Sequence, residues 1–403
     1  MSERDAVVVG GGPAGLATAI ALARVGRRVT VVEAARPPID KACGEGLMPS
    51  GVAALARLGV DLSGIGRRFS GIRYVAGGRV AEADYPDGEP GRGIERTELH
   101  SALVEAARVA GVELAWGERV ERLTAAGVAT SAREFAAPLV VGADGLHSKV
   151  RRWAGLERSE PPSGDRHDAG QRSARRRFGV RRHFALAPAD ERVEVVFGHG
   201  AELYVTPIGA DRLGAAILWE GPASGFDQLL AARFPAAVAA RFAGVAALGR
   251  DRGAGPFRQR TRGVVAGGRP VRVALVGDAA GYVDALTGEG LSIAFREALE
   301  LARAVEAGDL GSYARASRRL RRVPELLTRA TLIAARRPAL ARALVAALAD
   351  DPACFARLLG ALGAGRPLAS LGLAAPLRLL GRLARALPAR AVRFELSAPG
   401  AAT

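Results

Sequence analysis

Residues 5–33 constrain this chain more than any other stretch. An apolar run, Ala6 to Val9, enters the turn Gly10-Gly-Gly-Pro-Ala-Gly15. Helical spacing follows, with Leu16, Ala19, Ile20 and Ala23 on one face. Gly26 stops that helix, Val29 to Val32 form a second buried strand, and Glu33 ends it. The order is strand, turn, helix, strand, with glycines at 10, 12 and 15. Gly10 permits the tight turn, Gly12 lets backbone approach a pyrophosphate, and Gly15 lets helix and strand pack closely. The free N–H groups and dipole of the helix N-terminus favour the phosphates. Glu33 stands where an acid binds a ribose diol, which favours an unphosphorylated ribose: FAD or NAD over NADP.

Two later stretches repeat the strand-to-glycine pattern. Leu139 to Val141 run into Gly142-Ala-Asp144-Gly145, followed by His147, Ser148 and Arg151. Arg272 to Val276 run into Gly277-Asp278, and Thr287-Gly-Glu-Gly-Leu291 then opens a helix from about Leu291. Together with the N-terminal turn these resemble the three motifs of the p-hydroxybenzoate hydroxylase-like flavoproteins. That superfamily holds single-component aromatic hydroxylases, flavin halogenases and geranylgeranyl reductases. The resemblance spans residues 5 to about 305.

The resemblance implies FAD as cofactor. Gly10, Gly12, Pro13, Ala14 and Gly15 would hold the pyrophosphate, and Glu33 the adenosine ribose. Val120 would give the adenine its backbone contacts, and Arg96 would sit near the flavin. Asp144 and Gly277 close the other two strands, and Asp278 would bond the ribitol. Gly288, Gly290 and Leu291 would meet the isoalloxazine at a helix N-terminus, where the dipole stabilises the anionic reduced ring. Each position also has a plainer reading. Asp144 and Asp278 can cap turns, Arg96 is one arginine among many, and Val120 can be strand core. His147 and Ser148 share one short turn with Asp144, and nothing supplies a nucleophile elbow.

Lys41-Ala-Cys-Gly-Glu-Gly46 bears on the chemistry. Its glycines let a loop lie flat against a planar ligand. It resembles the Cys-Gly-x-Gly loop of geranylgeranyl reductase-like proteins, which implies that Cys43 faces flavin or substrate and that Gly44 and Gly46 contact FAD. Cys43 is equally a small hydrophobic filler. Glu45 and Glu289 are acid–base candidates if they face the site.

The expected architecture is α/β. A Rossmann-like FAD domain of residues 1–68, 94–156 and 264–305 is joined by an antiparallel-sheet substrate domain of 69–93 and 157–263. A helical region, 306–403, follows. In it, prolines at 324, 338, 352, 367, 376 and 388 are expected to delimit short helices. Phe226 to Phe242 is expected to be helical, and Tyr204 and Trp219 are pocket candidates. No Trp-x-Trp element occurs, which argues against a halogenase.

Charge narrows the partners. The formal net charge is +16, yet only two cations, Lys41 and Lys149, are lysines, which reads as the coding bias of a GC-rich bacterial genome. Sixteen arginines against six acids from residue 306 onward put +10 of the surplus in the helical region. In Leu377 to Leu387, apolar and arginine positions take separate faces, so these basic C-terminal helices can make peripheral contact with an anionic membrane. No aromatic-interleaved basic patch supports nucleic acid. Two cysteines cannot build a four-ligand zinc site, and no metal is expected. The strand opens at Asp5 with no apolar leader before it, and no apolar run reaches membrane-spanning length. A cytoplasmic protein is expected, at most peripheral at the inner face of the membrane.

The function expected first is an FAD-dependent monooxygenase using NAD(P)H and O₂ on an apolar or aromatic small molecule. The alternative is a flavin-dependent reductase of isolated C=C bonds in a prenyl or similar lipid, favoured by the Cys43 loop. A third is a flavin- or lipid-binding protein without catalysis, against which the retained Glu33, Asp278 and glycine turns argue.

Overall fold

A computed structural model describes residues 4–158, 176–257, 259, 261–267, 271–366, 378, 379, 381–383 and 385. The polar loop expected at 157–172 and the basic segment 377–387 lie largely outside these residues.

Valine-rich strands buried on both faces belong in a parallel sheet, and such a sheet forms here. Its order is Val265–Ala266, Arg272–Leu275, Leu139–Gly142, Ala6–Val9, Val29–Glu33, Glu113–Trp116. All neighbours are parallel except the edge strand Val265–Ala266. The three glycine-ended strands thus lie side by side at its centre, and their turns open at one end. The helix Pro13–Arg24 packs between the sheet and the helices Arg96–Val109 and Gly290–Glu306. Gly15 makes this packing close: a Cβ there would stand 1.8 Å from the Gly10 carbonyl oxygen.

A second sheet has seven strands: Ala247–Ala254, Arg177–Phe184, Leu213–Glu220, Ala201–Pro207, Arg192–Phe197, Gly71–Ala76 and Arg79–Asp84. The pairing is antiparallel except between Arg192–Phe197 and Gly71–Ala76. Alternation along the strands separates two cores. Leu203, Val205, Ile217 and Trp219 pack with Phe226 and Leu229 on one face. Tyr204, Ala216 and Leu218 face the opposite way, where Val345, Phe355 and Leu359 of the C-terminal helices join the same core.

Two expectations about helices are corrected. Pro324 does not end a helix; it lies inside Leu310–Ala335, a helix of 26 residues. A proline costs one backbone hydrogen bond, and this helix continues because it packs along Gly290–Glu306 and is pinned by a buried charge cluster. Pro338 and Pro352 do begin helices, Pro338–Ala349 and Pro352–Leu362. The segment 226–242 is two short helices, Phe226–Arg233 and Ala236–Ala240, separated at Pro235. Among the described residues no helix is long and apolar enough to cross a membrane.

Candidate active site

A cavity of about 840 Å³ runs from the glycine turns to the inner face of the seven-stranded sheet. Gly10, Gly12, Pro13, Ala14, Glu33, Cys43, Gly44, Gly46, Arg96, Val120, Asp144, Gly277, Asp278, Gly288, Glu289, Gly290 and Leu291 all line it. Gly15 does not, since it lies behind the turn against Gly10. The structure therefore brings together residues up to 281 positions apart in sequence, from Gly10 to Leu291.

At the first turn Gly10 has φ +110°, and a Cβ there would stand 2.4 Å from the Ala143 carbonyl oxygen. No side chain caps the helix Pro13–Arg24, and no acid occupies its first turn, so its free N–H groups suit an anion. Arg96 Nε is buried without a hydrogen-bond partner, and Arg96 Nη2 lies over Gly12. Glu33 accepts hydrogen bonds from the amides of Gly11 and Ala35, each at 2.8 Å. These features fit FAD: a backbone cradle open at Gly12, the Arg96 guanidinium beside it with its Nε unpartnered, and an acid at the end of the second strand. When bound, FAD would be held by these groups.

Asp144 takes its plainer reading. Its carboxylate accepts from Ser148 Oγ and from the amides of Lys149 and Val150, so it caps the helix Lys149–Trp153 from the cavity wall. Ser148 is used in the same cap, accepting from the Arg151 amide. Asp278 differs. Burial pushes its carboxyl up, partly offset by Arg321 and Arg96, and among the described residues no side-chain hydrogen bond satisfies it.

The Cys43 loop is latched from both ends. Asp40 pairs with Arg181 and, at 2.7 Å, with Arg252. Glu45 is fully used: one oxygen accepts from the Arg96 amide at 3.0 Å and the other lies 2.7 Å from His183 Nε2. Among the described residues Glu45 is the one non-glycine with positive φ, +60°, a conformation that costs energy and persists only where the surroundings fix it. Glu45 is thus the clamp of this loop rather than a free acid. Cys43 Sγ accepts from the Glu45 amide at 3.4 Å, and burial pushes its thiol up, against the pull of Arg96. It stands in the cavity as a protonated thiol.

Glu289 is the opposite of Glu45. It precedes the helix Gly290–Glu306, is 3% exposed, and neither carboxylate oxygen has a hydrogen-bond partner. Burial raises its pKa to about 8, with Arg296 pulling the other way. A charged carboxylate in such a place is costly, so the group sits protonated. The walls beyond it are apolar and include Met48, Tyr85, Val195, Leu218, Leu359 and Leu362. Tyr204 joins this wall, its hydroxyl donating to the Leu286 carbonyl. Trp219 does not: it lies in the core on the far face of the sheet.

Two buried charge clusters escaped the sequence. Arg321, on the long helix, donates to both oxygens of Glu297 and to the carbonyls of Gly277 and Gly281. Arg177 pairs with Glu202 and Asp284, each at 2.7 Å. Both hold the loop between Asp278 and Gly288. One arginine among 55 carries no mark in sequence that it will be buried.

Residues 3–173 match the FAD binding domain family. The chain is 40% identical over 127 residues to the menaquinone reductase of Mycolicibacterium smegmatis, covering 30% of this chain and 31% of that one. It is 32% identical over 177 residues to the FAD-dependent monooxygenase OpS4 of Beauveria bassiana, covering 40% and 42%. The chain therefore spans less than half the length of either relative. Among solved structures, a flavoprotein/dehydrogenase from Cytophaga hutchinsonii superposes with a TM-score of 0.74 at 19% identity, covering 94% of this chain and 99% of that one. Residues 3–173 thus match the FAD-binding domain family, the similar proteins include both a reductase and a monooxygenase, and the chain shares the α/β fold of that flavoprotein/dehydrogenase over most of its length.

Proposed function

We propose that the protein is an FAD-dependent reductase that saturates an isolated C=C bond in an apolar, prenyl-bearing lipid, with NAD(P)H as electron donor. Glu289 carries this reading: it is a neutral, unpartnered carboxyl on the wall of an apolar cavity. An isolated double bond accepts hydride poorly unless a proton reaches its other carbon. A bound FAD would supply the hydride chemistry for one carbon, with NAD(P)H as the source of the two electrons. Glu289 gives its proton to the other: its O–H bond breaks as the C–H bond forms, and solvent restores the proton. The net change is alkene plus NAD(P)H plus H⁺ giving the saturated product and NAD(P)⁺. A carboxyl held near pKa 8 is still mostly protonated at neutral pH and loses its proton readily, as a general acid must. The apolar walls take the lipid and exclude water. The clamped loop keeps Cys43 and its glycines against the cavity, shaping the wall.

The menaquinone reductase relative supports a lipid substrate, and the monooxygenase relative supports oxygen chemistry in the same kind of cavity. Oxygen insertion needs no acid aimed at carbon, which is why Glu289 favours the reductase. The test is incubation of the FAD-loaded protein with NADH or NADPH and menaquinone, with and without O₂. A product in which one prenyl C=C bond is saturated, still saturated after the quinol ring is reoxidised to quinone and formed without O₂, supports the reading; ring reduction alone, with the prenyl chain unchanged, overturns it. An oxygenated product formed only with O₂ overturns it in favour of a monooxygenase.

A further inference from the structure

The helix Leu310–Ala335 has two unlike sides. Tyr313, Ser317, Arg321, Pro324, Thr328 and Leu332 are buried. At 100° per residue, Arg315, Arg318, Arg319, Arg322, Leu326, Arg329 and Ile333 fall together on the opposite side, within an arc of about 120°, and all are exposed. Arg336 and Arg337 extend the stripe past the helix end. The helix has one acid, Glu325, and that lines the cavity.

The composition of this stripe is unusual in two ways. Leu326 and Ile333 are each 57% exposed, and they are two of the four large apolar side chains so exposed among the described residues. They stand two turns apart at the centre of the arc. Arg315 and Arg336 are held by Asp309 and Glu220. Arg318, Arg319, Arg322 and Arg329 make no ion pair among the described residues, so four guanidinium groups surround the two apolar side chains without a counter-charge.

We propose that this stripe seats the protein on an anionic lipid surface, with Leu326 and Ile333 entering the headgroup boundary and the four arginines on lipid phosphates. Charge complementarity names the surface. A nucleic acid or an acidic protein would satisfy the arginines but gives no reason for two exposed aliphatic side chains among them. The same helix reaches the cavity, since Pro324, Glu325 and Thr328 line it, so the membrane face and the cavity wall are separated by the thickness of one helix. Of the segment 377–387, also expected to touch a membrane and largely outside the described residues, Arg378 and Arg382 pair with Asp351. The proposal stands on this surface alone and does not depend on the reductase reading.

The test is co-sedimentation of the full-length, FAD-loaded protein with phosphatidylglycerol vesicles and with phosphatidylcholine vesicles. Binding to the first, weakened by salt, is expected. The variant Arg318→Gln/Arg319→Gln/Arg322→Gln/Arg329→Gln should bind at least about tenfold more weakly, and Leu326→Ser/Ile333→Ser several-fold more weakly. Both should keep wild-type FAD content and thermal stability, because none of these side chains touches the cavity. Absence of binding to phosphatidylglycerol, or wild-type binding by the arginine variant, overturns the proposal. Loss in the arginine variant with full binding by the serine variant also overturns it, showing charge adsorption without a seated helix.

Discussion

Arg321 Nη2 donates to the Gly277 carbonyl oxygen at 2.7 Å, so a helix far along the chain fixes the turn that precedes Asp278. The same guanidinium binds both oxygens of Glu297, while the Gly277 amide donates to Glu297 Oε2 at 2.9 Å. Ser317 Oγ completes the cluster at 2.6 Å from Glu297 Oε1. Every buried charge here has partners, the condition under which such a cluster is stable.

Replacing Arg321 with Met leaves Glu297 buried and unpaired. Breaking such a pair costs about 3–5 kcal/mol. Arg321→Met should lower the urea midpoint and the bound flavin per protein together. Arg321→Met/Glu297→Gln should recover part of the stability but not the flavin content, because the Gly277 and Gly281 carbonyls still lack their donor. Equal recovery of both would show that the cluster serves folding only.

Glycines separate cradle from scaffold. At Gly10 the positive φ and the 2.4 Å approach to the Ala143 oxygen leave no room for a methyl group. Gly44 has nothing within 4 Å of its would-be Cβ. Gly10→Ala should abolish FAD retention and destabilise the fold by at least about 1–3 kcal/mol. Gly44→Ala should fold like wild type, as read by calorimetry.

These contrasts show what the sequence carried. The glycine turn, its helix and the acid at Glu33 are local features, readable from spacing alone, and the parallel sheet follows from strands buried on both faces. The clamp at Glu45 was not readable: its partners, His183 and the Arg96 amide, are brought close only by the fold. Pro324 misled because a local breaker lost to tertiary packing. Glu45 and Glu289 both stand in glycine-flanked loops, and only their partners, present for Glu45 and missing for Glu289, distinguish a clamp from an acid.

Cys43 is held as a thiol, and thiolates are the reactive form. At pH 8 its alkylation by iodoacetamide should be slower than that of a free cysteine model compound. Cys43→Ser should keep turnover within about threefold, because a neighbouring hydroxyl fills the same space and Glu289 supplies the proton. A loss of two orders of magnitude would make Cys43 the acid.

Glu289 also ties stability to pH. Its carboxyl has an ordinary value of 4.5 in an unfolded chain and about 8 in the folded protein. Between those values the folded state holds a proton that the unfolded state has lost, so stability is fully present below pH 4.5 and declines as pH rises towards 8. Glu289→Gln removes this term. Unfolding midpoints of the variant and wild type should be alike in acid and separate in favour of the variant as pH rises, by up to a few kcal/mol at pH 8–9. Parallel curves would place the carboxyl in water. Turnover of wild type should fall as pH rises through about 8.

The source of the second hydrogen in the product tests the central claim most directly. In D₂O without O₂, the FAD-loaded protein with NAD(P)H and a prenylated quinone should give saturated product with solvent deuterium on one carbon of the former double bond, and Glu289→Gln should slow its formation by about 10²–10⁴-fold while leaving flavin reduction by NAD(P)H unchanged. Deuterated product formed at the wild-type rate by Glu289→Gln, or no product until O₂ is admitted, would contradict the account.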